Sequence, residues 1–201
     1  MNLIYLPSPL WVLGTDTDVG KTYVAARIAR AWAELGPVTY RKPFQSGVAT
    51  ADAPEADGSV VAGLNIQAEA WCTLRAPLSP LAAAALEGRD LDLADALAWC
   101  RRPTGDRLLL EGVGGVLTPL APGKHFLAWA SELGQPCVLV ARGGLGTLNH
   151  TLLSAEALML RGWRIAAVVL NPGVDGSAAA VAGNLEILRQ FLPLPVHVLE
   201  P

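Results

Sequence analysis

Short, wholly apolar runs alternate along this chain with longer segments whose apolar residues recur at helical spacing. The runs are LWVLG, VTY within PVTYRKP, LLL within RLLLEG, PCVLVA, IAAVVLN and PVHVL, and between them lie KTYVAARIARAWAEL, HFLAWASEL, LNHTLLSAEALML and VAGNLEILRQF. A helix that covers a core repeats its apolar residues every three to four positions, whereas a strand buried on both faces shows an unbroken apolar run. The alternation therefore predicts an α/β fold in which a parallel sheet is covered by helices on both faces. Two stretches break the rhythm: residues 46–58, rich in Ala, Asp and Pro, and residues 78–102, which read as two helices in succession. Neither has the composition of a linker and no internal repeat is visible, so residues 1–201 are expected to form a single domain. In parallel α/β sheets ligands gather at the C-terminal ends of the strands, and that is where chemistry is expected here.

The first of those ends carries Gly14, Thr15, Asp16, Thr17, Asp18, Val19, Gly20, Lys21 and Thr22, between a strand and a helix. This is the setting of a phosphate loop, and it narrows the fold to the P-loop NTPase type. Amides around Gly20 and the helix N-terminus face anionic oxygens, Lys21 reaches the terminal phosphates, and Thr22 is placed to ligate Mg²⁺. The spacing differs from the common G-x-x-x-x-G-K-T form, since Gly14 stands one residue early and Thr15 takes the expected glycine position. The next strand ends in Arg41-Lys42-Pro43-Phe44-Gln45-Ser46-Gly47. There Lys42 is either a cation facing a phosphoryl group or substrate anion, or a solvated lysine at a strand end. In RLLLEGVGG, Glu111 ends a buried strand and is followed by glycines, which suits the acidic half of a P-loop metal site. Asp57, in EADGSVVAGL, is a further oxygen ligand or only the cap of a helix. The glycine-rich residues 142–150 open a helix, whose amides offer a second anion site or form a plain turn.

Composition narrows the partners. The chain is 52% hydrophobic and 16% charged with net charge -3, a balance without the basic excess of a nucleic-acid or anionic-membrane binder. A small-molecule substrate is favoured. Cys72, Cys100 and Cys137 are far apart and form no C-x-x-C pair, so they read as buried packing residues in a reducing compartment. No long apolar run and no basic leader is evident, and a soluble, cytoplasmic protein is expected. His125, His150 and His197 are isolated from one another, and no Ser-His-Asp arrangement can be assembled.

Taken in order, GTDTDVGKT, YRKPFQSG, EGVGG and GLGTLNHTLLSAEAL resemble the dethiobiotin synthetase family across most of the chain. The resemblance implies ATP as co-substrate and Mg²⁺, with 7,8-diaminononanoate and CO₂ converted to dethiobiotin. It assigns Lys21 and Thr22 to phosphates and metal, Asp57 and Glu111 to the Mg²⁺ shell, and Lys42 and Ser46 to the substrate carbamate. Thr17 and Asp18 match positions facing the reacting phosphate and metal, which adds Thr17 to the catalytic lysines Lys21 and Lys42. Asn171, in VVLNP, matches a position near the base, where one exposed amide discriminates little between nucleotides. A homodimer is implied, with Gly146, Thr147, Leu148 and Asn149 meeting the substrate's tail carboxylate in the neighbouring subunit. The chain departs from relatives at Leu81, where many have histidine, at Gly144, where some have lysine, and in the short segment Leu199, Glu200 and Pro201 after the last strand.

Two other classes compete. A partitioning-type ATPase switch carries an additional lysine near the start of its loop, and no lysine stands between Gly14 and Gly20. The synthetase of a corrinoid amidotransferase needs a glutaminase domain, for which 201 residues leave no room.

Overall fold

The structure is a computed structural model and describes residues 2–199. Glu200 and Pro201, which form most of the short segment noted after the last strand, lie outside the described residues. One sheet is built from Leu10–Gly14 (β1), Val38–Ser46 (β2), Ile66–Leu74 (β3), Arg107–Glu111 (β4), Cys137–Arg142 (β7), Ile165–Asn171 (β8) and Val196–Val198 (β9). Pro119–Ala121 (β5) and Lys124–His125 (β6) form a separate antiparallel pair. The large sheet has the order β3-β2-β4-β1-β7-β8-β9, and every neighbouring pair in it is parallel. The helices are Lys21–Ala33 (α1), Asp57–Val61 (α2), Pro80–Leu86 (α3), Leu93–Cys100 (α4), Phe126–Ala130 (α5), Thr147–Met159 (α6) and Ala178–Phe191 (α7). None of the described helices is long and apolar enough to cross a membrane.

Side chains of β1 alternate between two cores, as a central strand covered on both faces requires. Leu10 and Val12 pack under α1 and α2, whereas Trp11 and Leu13 enter the larger core beneath α3 to α7. That larger core is aromatic. Trp129 lies 5.0 Å from Phe44, 5.7 Å from Phe126 and 6.3 Å from Trp11, ring centre to ring centre, in tilted or edge-to-face contact. Its indole nitrogen donates to the Leu93 carbonyl at 2.8 Å, so the ring joins α5 to the start of α4. The three cysteines are buried and free, and burial pushes the Cys100 thiol up to about 12.

The parallel sheet with helices on both faces is as the apolar pattern predicts, and so are the two successive helices in residues 78–102. Three features differ. β3 was not foreseen: its sequence IQAEAWCTL alternates, with Gln67, Glu69 and Thr73 between Ile66, Ala68, Ala70, Cys72 and Leu74. That is the pattern of an edge strand rather than of a buried run. β2 extends to Ser46, past the run VTY, although it contains Pro43. Its pairing with β4 ends at Arg41, so the proline, which has no N–H to give, sits where β2 has outgrown that neighbour. The segment HFLAWASEL holds only the five helical residues of α5 before tightening into a 3₁₀ turn.

Replacing Trp129 by alanine should cost about 3–5 kcal/mol of stability, the range for deleting a fully buried large aromatic. Urea unfolding measures it, and a loss under about 1 kcal/mol would show that the cluster does not hold α5 on the sheet.

Candidate active site

β1, β2 and β4 are adjacent in the sheet, and the end of β1, the middle of β2 and the end of β4 bring the phosphate loop, Lys42 and Glu111 to one place. The loop leaves β1 with Thr15 N–H still bonded to the Val140 carbonyl at 2.9 Å, so its entry is fixed by the neighbouring strand. Asp18 and Gly20 take left-handed conformations, with φ of 56° and 93°. A side chain at Gly20 would run into the Asn171 carboxamide, so glycine is required by both backbone angle and space.

Four side chains then converge. Thr22 Oγ1 lies 2.7 Å from Asp57 Oδ1 and 2.8 Å from Glu111 Oε1. The Lys42 ammonium sits 2.6 Å from Asp57 Oδ2 and 2.6 Å from Glu111 Oε1, and donates to the Gly112 carbonyl at 3.0 Å. Glu111 is fully buried and Lys42 only 3% exposed, so Lys42 is not a solvated strand-end lysine. Burial alone lowers the pKa of such an ammonium, but the Glu111 and Asp57 carboxylates outweigh it and hold Lys42 above the ordinary lysine value. For Asp57, burial acts upward, and Lys42, helped by Thr22 and Lys21, more than offsets it, leaving the carboxyl below its usual range. Lys21 goes the other way: burial and then repulsion from Lys42 bring it down to about 8. Its ammonium donates to the Asp16 carbonyl at 2.8 Å.

Asp57 begins α2 without capping it: Ala56 is the cap residue, and among the described residues no side-chain cap bond is made there. Its carboxylate is turned toward Thr22 and Lys42 instead. Threonine and carboxylate oxygens grouped in this way form a hard donor set that fits Mg²⁺. A cleft of about 340 Å³ is lined by Thr17, Asp18, Gly20, Lys21, Thr22, Lys42, Ser46, Asp57 and Glu111, together with Gln45, Val113 and Gly114. Ser46 donates to the Leu78 carbonyl at 2.7 Å at its rim.

Other expected residues lie elsewhere. Gly146, Thr147, Leu148 and Asn149 form the first turn of α6 and do not line this cleft of their own chain. Asn171 is not the exposed amide that the sequence suggested. It is 8% exposed, its Nδ2 donates to the Val19 carbonyl at 3.1 Å, and its Oδ1 accepts from Gly173 N–H at 3.1 Å. Leu81 is half-buried on α3. Gly144 has no room for a side chain, since a Cβ would meet the Asp175 carbonyl.

Sequence reasoning missed Tyr40, whose buried hydroxyl donates to Glu111 Oε2 at 2.8 Å and fixes the carboxylate from behind. Its position two residues before Lys42 on the same strand was the available signal. The Arg142–Asp16 pair, 3.0 Å apart, was also missed, since nothing local in the sequence links residues so far apart.

The family model described as an AAA domain matches residues 9–198. The chain is 40% identical to the ATP-dependent dethiobiotin synthetase BioD of Anaeromyxobacter dehalogenans (strain 2CP-1), with 96% of this chain and 90% of that protein covered. It is 37% identical to the protein of the same name from Methylobacterium nodulans, over 87% of this chain and 86% of the other. It is also 38% identical to the biotin biosynthesis bifunctional protein BioCD of Bordetella avium, over 94% of this chain but 40% of that longer protein. Among solved structures, a ParA family ATPase from Chlorobium tepidum superposes with TM-score 0.57 at 11% identity, covering 96% of this chain and 83% of the other. The septum site-determining protein MinD of Pyrococcus horikoshii, complexed with Mg-ADP, gives TM-score 0.55 at 14% identity, covering 93% and 78%. At such identities these two likenesses speak for the P-loop NTPase fold alone.

Removing one partner of a buried ion pair strands the other. Lys42→Met should therefore cost about 3–5 kcal/mol of stability in chelating buffer, where no divalent cation can replace the ammonium. Adding Glu111→Gln should recover a large part of it by removing the stranded charge. Urea unfolding of both variants decides the matter: a Lys42→Met loss under about 1 kcal/mol, or no recovery in the double variant, contradicts the assignment.

Proposed function

We propose that this chain, which belongs to the ATP-dependent dethiobiotin synthetase family, closes the ureido ring of dethiobiotin from 7,8-diaminononanoate and CO₂ with Mg²⁺ and ATP. One amine of the substrate takes up CO₂ as a carbamate and loses a proton. A carbamate oxygen then attacks the γ-phosphorus and ADP departs, leaving a carbamic-phosphoric anhydride. The second amine attacks its carbonyl, phosphate leaves, and the ring is closed. No covalent enzyme nucleophile is needed, because positioning and charge stabilisation account for phosphoryl transfer.

The observation that carries this reading is the buried Lys42 ammonium. It comes from a different strand than the phosphate loop, yet it shares the Asp57 and Glu111 carboxylates with Thr22. Two lysines thus face one cleft. In the proposed roles Lys21 neutralises charge on the transferring phosphoryl group, and Lys42 with Ser46 holds the carbamate against it. Thr17 and Asp18 approach the same phosphate from the loop, and amides of residues 14–22 bind the rest of the triphosphate. Thr22, Asp57 and Glu111 would hold Mg²⁺, which when bound offsets phosphate charge. The Asn171 side chain supports the nucleotide site through its bond to the Val19 carbonyl, at the end of the loop that precedes Lys21.

A homodimer is part of the proposal, with the amides of Gly146, Thr147, Leu148 and Asn149 serving the tail carboxylate of substrate in the neighbouring subunit. Leu145 is 99% exposed, and Leu117 and Leu153 are more than half exposed around a second cavity beside α6. Sedimentation showing a fully active monomer at micromolar concentration would overturn this part.

Phosphate release should require both the diamine and bicarbonate. Release at the same rate with neither of them would favour an ATPase switch of the partitioning kind. Glu111→Gln and Asp57→Asn should each raise the Mg²⁺ concentration for half-maximal rate, because each exchanges an anionic oxygen for a neutral one. A Mg²⁺ titration identical to wild type removes the residue concerned from the metal shell.

A further inference from the structure

We propose that Arg142 is a positioning residue for the nucleotide. By holding the Asp16 carboxylate it fixes the phosphate loop to the segment after β8, so that the two grip a nucleotide as one unit. The proposal rests on reading residues 14–22 as a phosphate loop and deepens that reading.

Arg142 is the last residue of β7, and its side chain is 27% exposed. Its Nη2 donates to Asp16 Oδ2 at 3.0 Å, and its Nη1 lies 3.8 Å from an Asp175 carboxylate oxygen. A planar guanidinium spans two carboxylates from separate loops in a way that a single ammonium does not. Nε is buried and has no partner among the described residues, so the hold on the group comes from its two Nη atoms.

Asp16 passes this hold onward. Its Oδ1 accepts from Thr17 N–H at 2.8 Å, and its carbonyl accepts from the Lys21 ammonium at 2.8 Å. One contact from Arg142 therefore orients the residue that bonds both to the loop's next amide and to its lysine. On the far side the anchorage is firm. Gly143 N–H donates to the Val174 carbonyl at 3.1 Å, Asn184 donates to the Gly143 carbonyl at 2.8 Å, and Gly144 lies flat against the Asp175 backbone. Asn171 makes a second tie, from Gly173 to the Val19 carbonyl. The loop is thus held near both ends, at Asp16 by Arg142 and at Val19 by Asn171, the paired last residues of the neighbouring strands β7 and β8.

A half-exposed ion pair adds little to folding, so the value of this one lies in the ordering of a loop that binds anions through its backbone. Its loss should appear in nucleotide affinity more than in melting temperature. Calorimetry with Mg²⁺ and the non-hydrolysable analogue AMP-PNP tests this on wild type, Arg142→Ala, Asp16→Asn, the double variant and Arg142→Lys. Each single truncation should weaken AMP-PNP by about tenfold, the worth of one charge-assisted hydrogen bond. The double variant should be no weaker than either single one, because both remove the same contact. Arg142→Lys should fall between wild type and Arg142→Ala, and the KM for diamine should stay within about twofold of wild type when nucleotide is saturating. Wild-type affinity in Arg142→Ala, additive losses in the double variant, or a diamine KM that rises as much as the nucleotide constant would overturn the proposal. Wild type that binds AMP-PNP but releases no phosphate with diamine and bicarbonate would defeat the ligase reading and leave this cycle valid.

Discussion

A lysine and a glutamate sealed from water cannot tolerate each other's absence, and the site is organised around that constraint. Lys42 lies mid-way along β2, one residue past the last register pair with β4, and Glu111 ends β4, so their meeting is fixed by strand pairing rather than by flexible loops. Neither charge is sustainable alone at such burial. Each is therefore surrounded by partners: Gly112 and Asp57 for the ammonium, Tyr40 and Thr22 for the carboxylate. A cluster satisfied in this way is rigid, and rigidity is what charge stabilisation of a transferring phosphoryl group requires. The cost of assembling it is met by the apolar sheet beneath, where β1 and β4 carry fully buried leucines and valines up to the point at which the polar residues begin.

The same sheet gives Lys21 and Lys42 different characters. Both are buried lysines in one cleft, yet Lys42 is flanked by two carboxylates and Lys21 by a carbonyl. Burial and the repulsion between them lower the pKa of Lys21, while the carboxylates raise that of Lys42. An anion entering the cleft meets Lys21 first as the unpaired charge, because Lys42 already has counter-charges within 2.6 Å. In the proposed reaction this ordering suits triphosphate on Lys21 and the carbamate on Lys42, with Thr22, Asp57 and Glu111 the residues that would hold Mg²⁺.

Much of this was legible in the sequence where the signal is local. The central strands announce themselves as apolar runs because both faces are covered, and the phosphate loop because glycine and lysine must stand between a strand and a helix. The edge strand β3 was not legible in that way, since one exposed face gives it alternation instead of a run. Asp57 was ambiguous because an aspartate at a helix start has two uses, and only the folded chain shows its carboxylate turned toward Thr22 and Lys42. Tyr40 and Arg142 were missed for a different reason. Each acts on a residue far away in sequence, Glu111 and Asp16, and the register that joins them exists only once the sheet is paired.

Asn171 shows how a correct position can carry an incorrect exposure. The sequence puts it at the end of the apolar run VVL, and in the structure it is the last residue of β8, with its amide on the Val19 carbonyl of the loop. An amide at a strand end reads as free to meet a base edge, but here its oxygen and one of its N–H groups are occupied by Gly173 and Val19. The reason lies in Gly20, whose missing side chain leaves the space that the carboxamide fills. Loop and asparagine are thus fitted to each other, so the contribution of this residue is to the geometry that receives phosphates. Strong rejection of a wrong base needs buried polar groups that the wrong base leaves unpaired, and one carboxamide with its oxygen and one N–H already bonded can impose little of that penalty. What the structure shows this side chain doing is therefore at the phosphate end, where it holds the loop through the Val19 carbonyl.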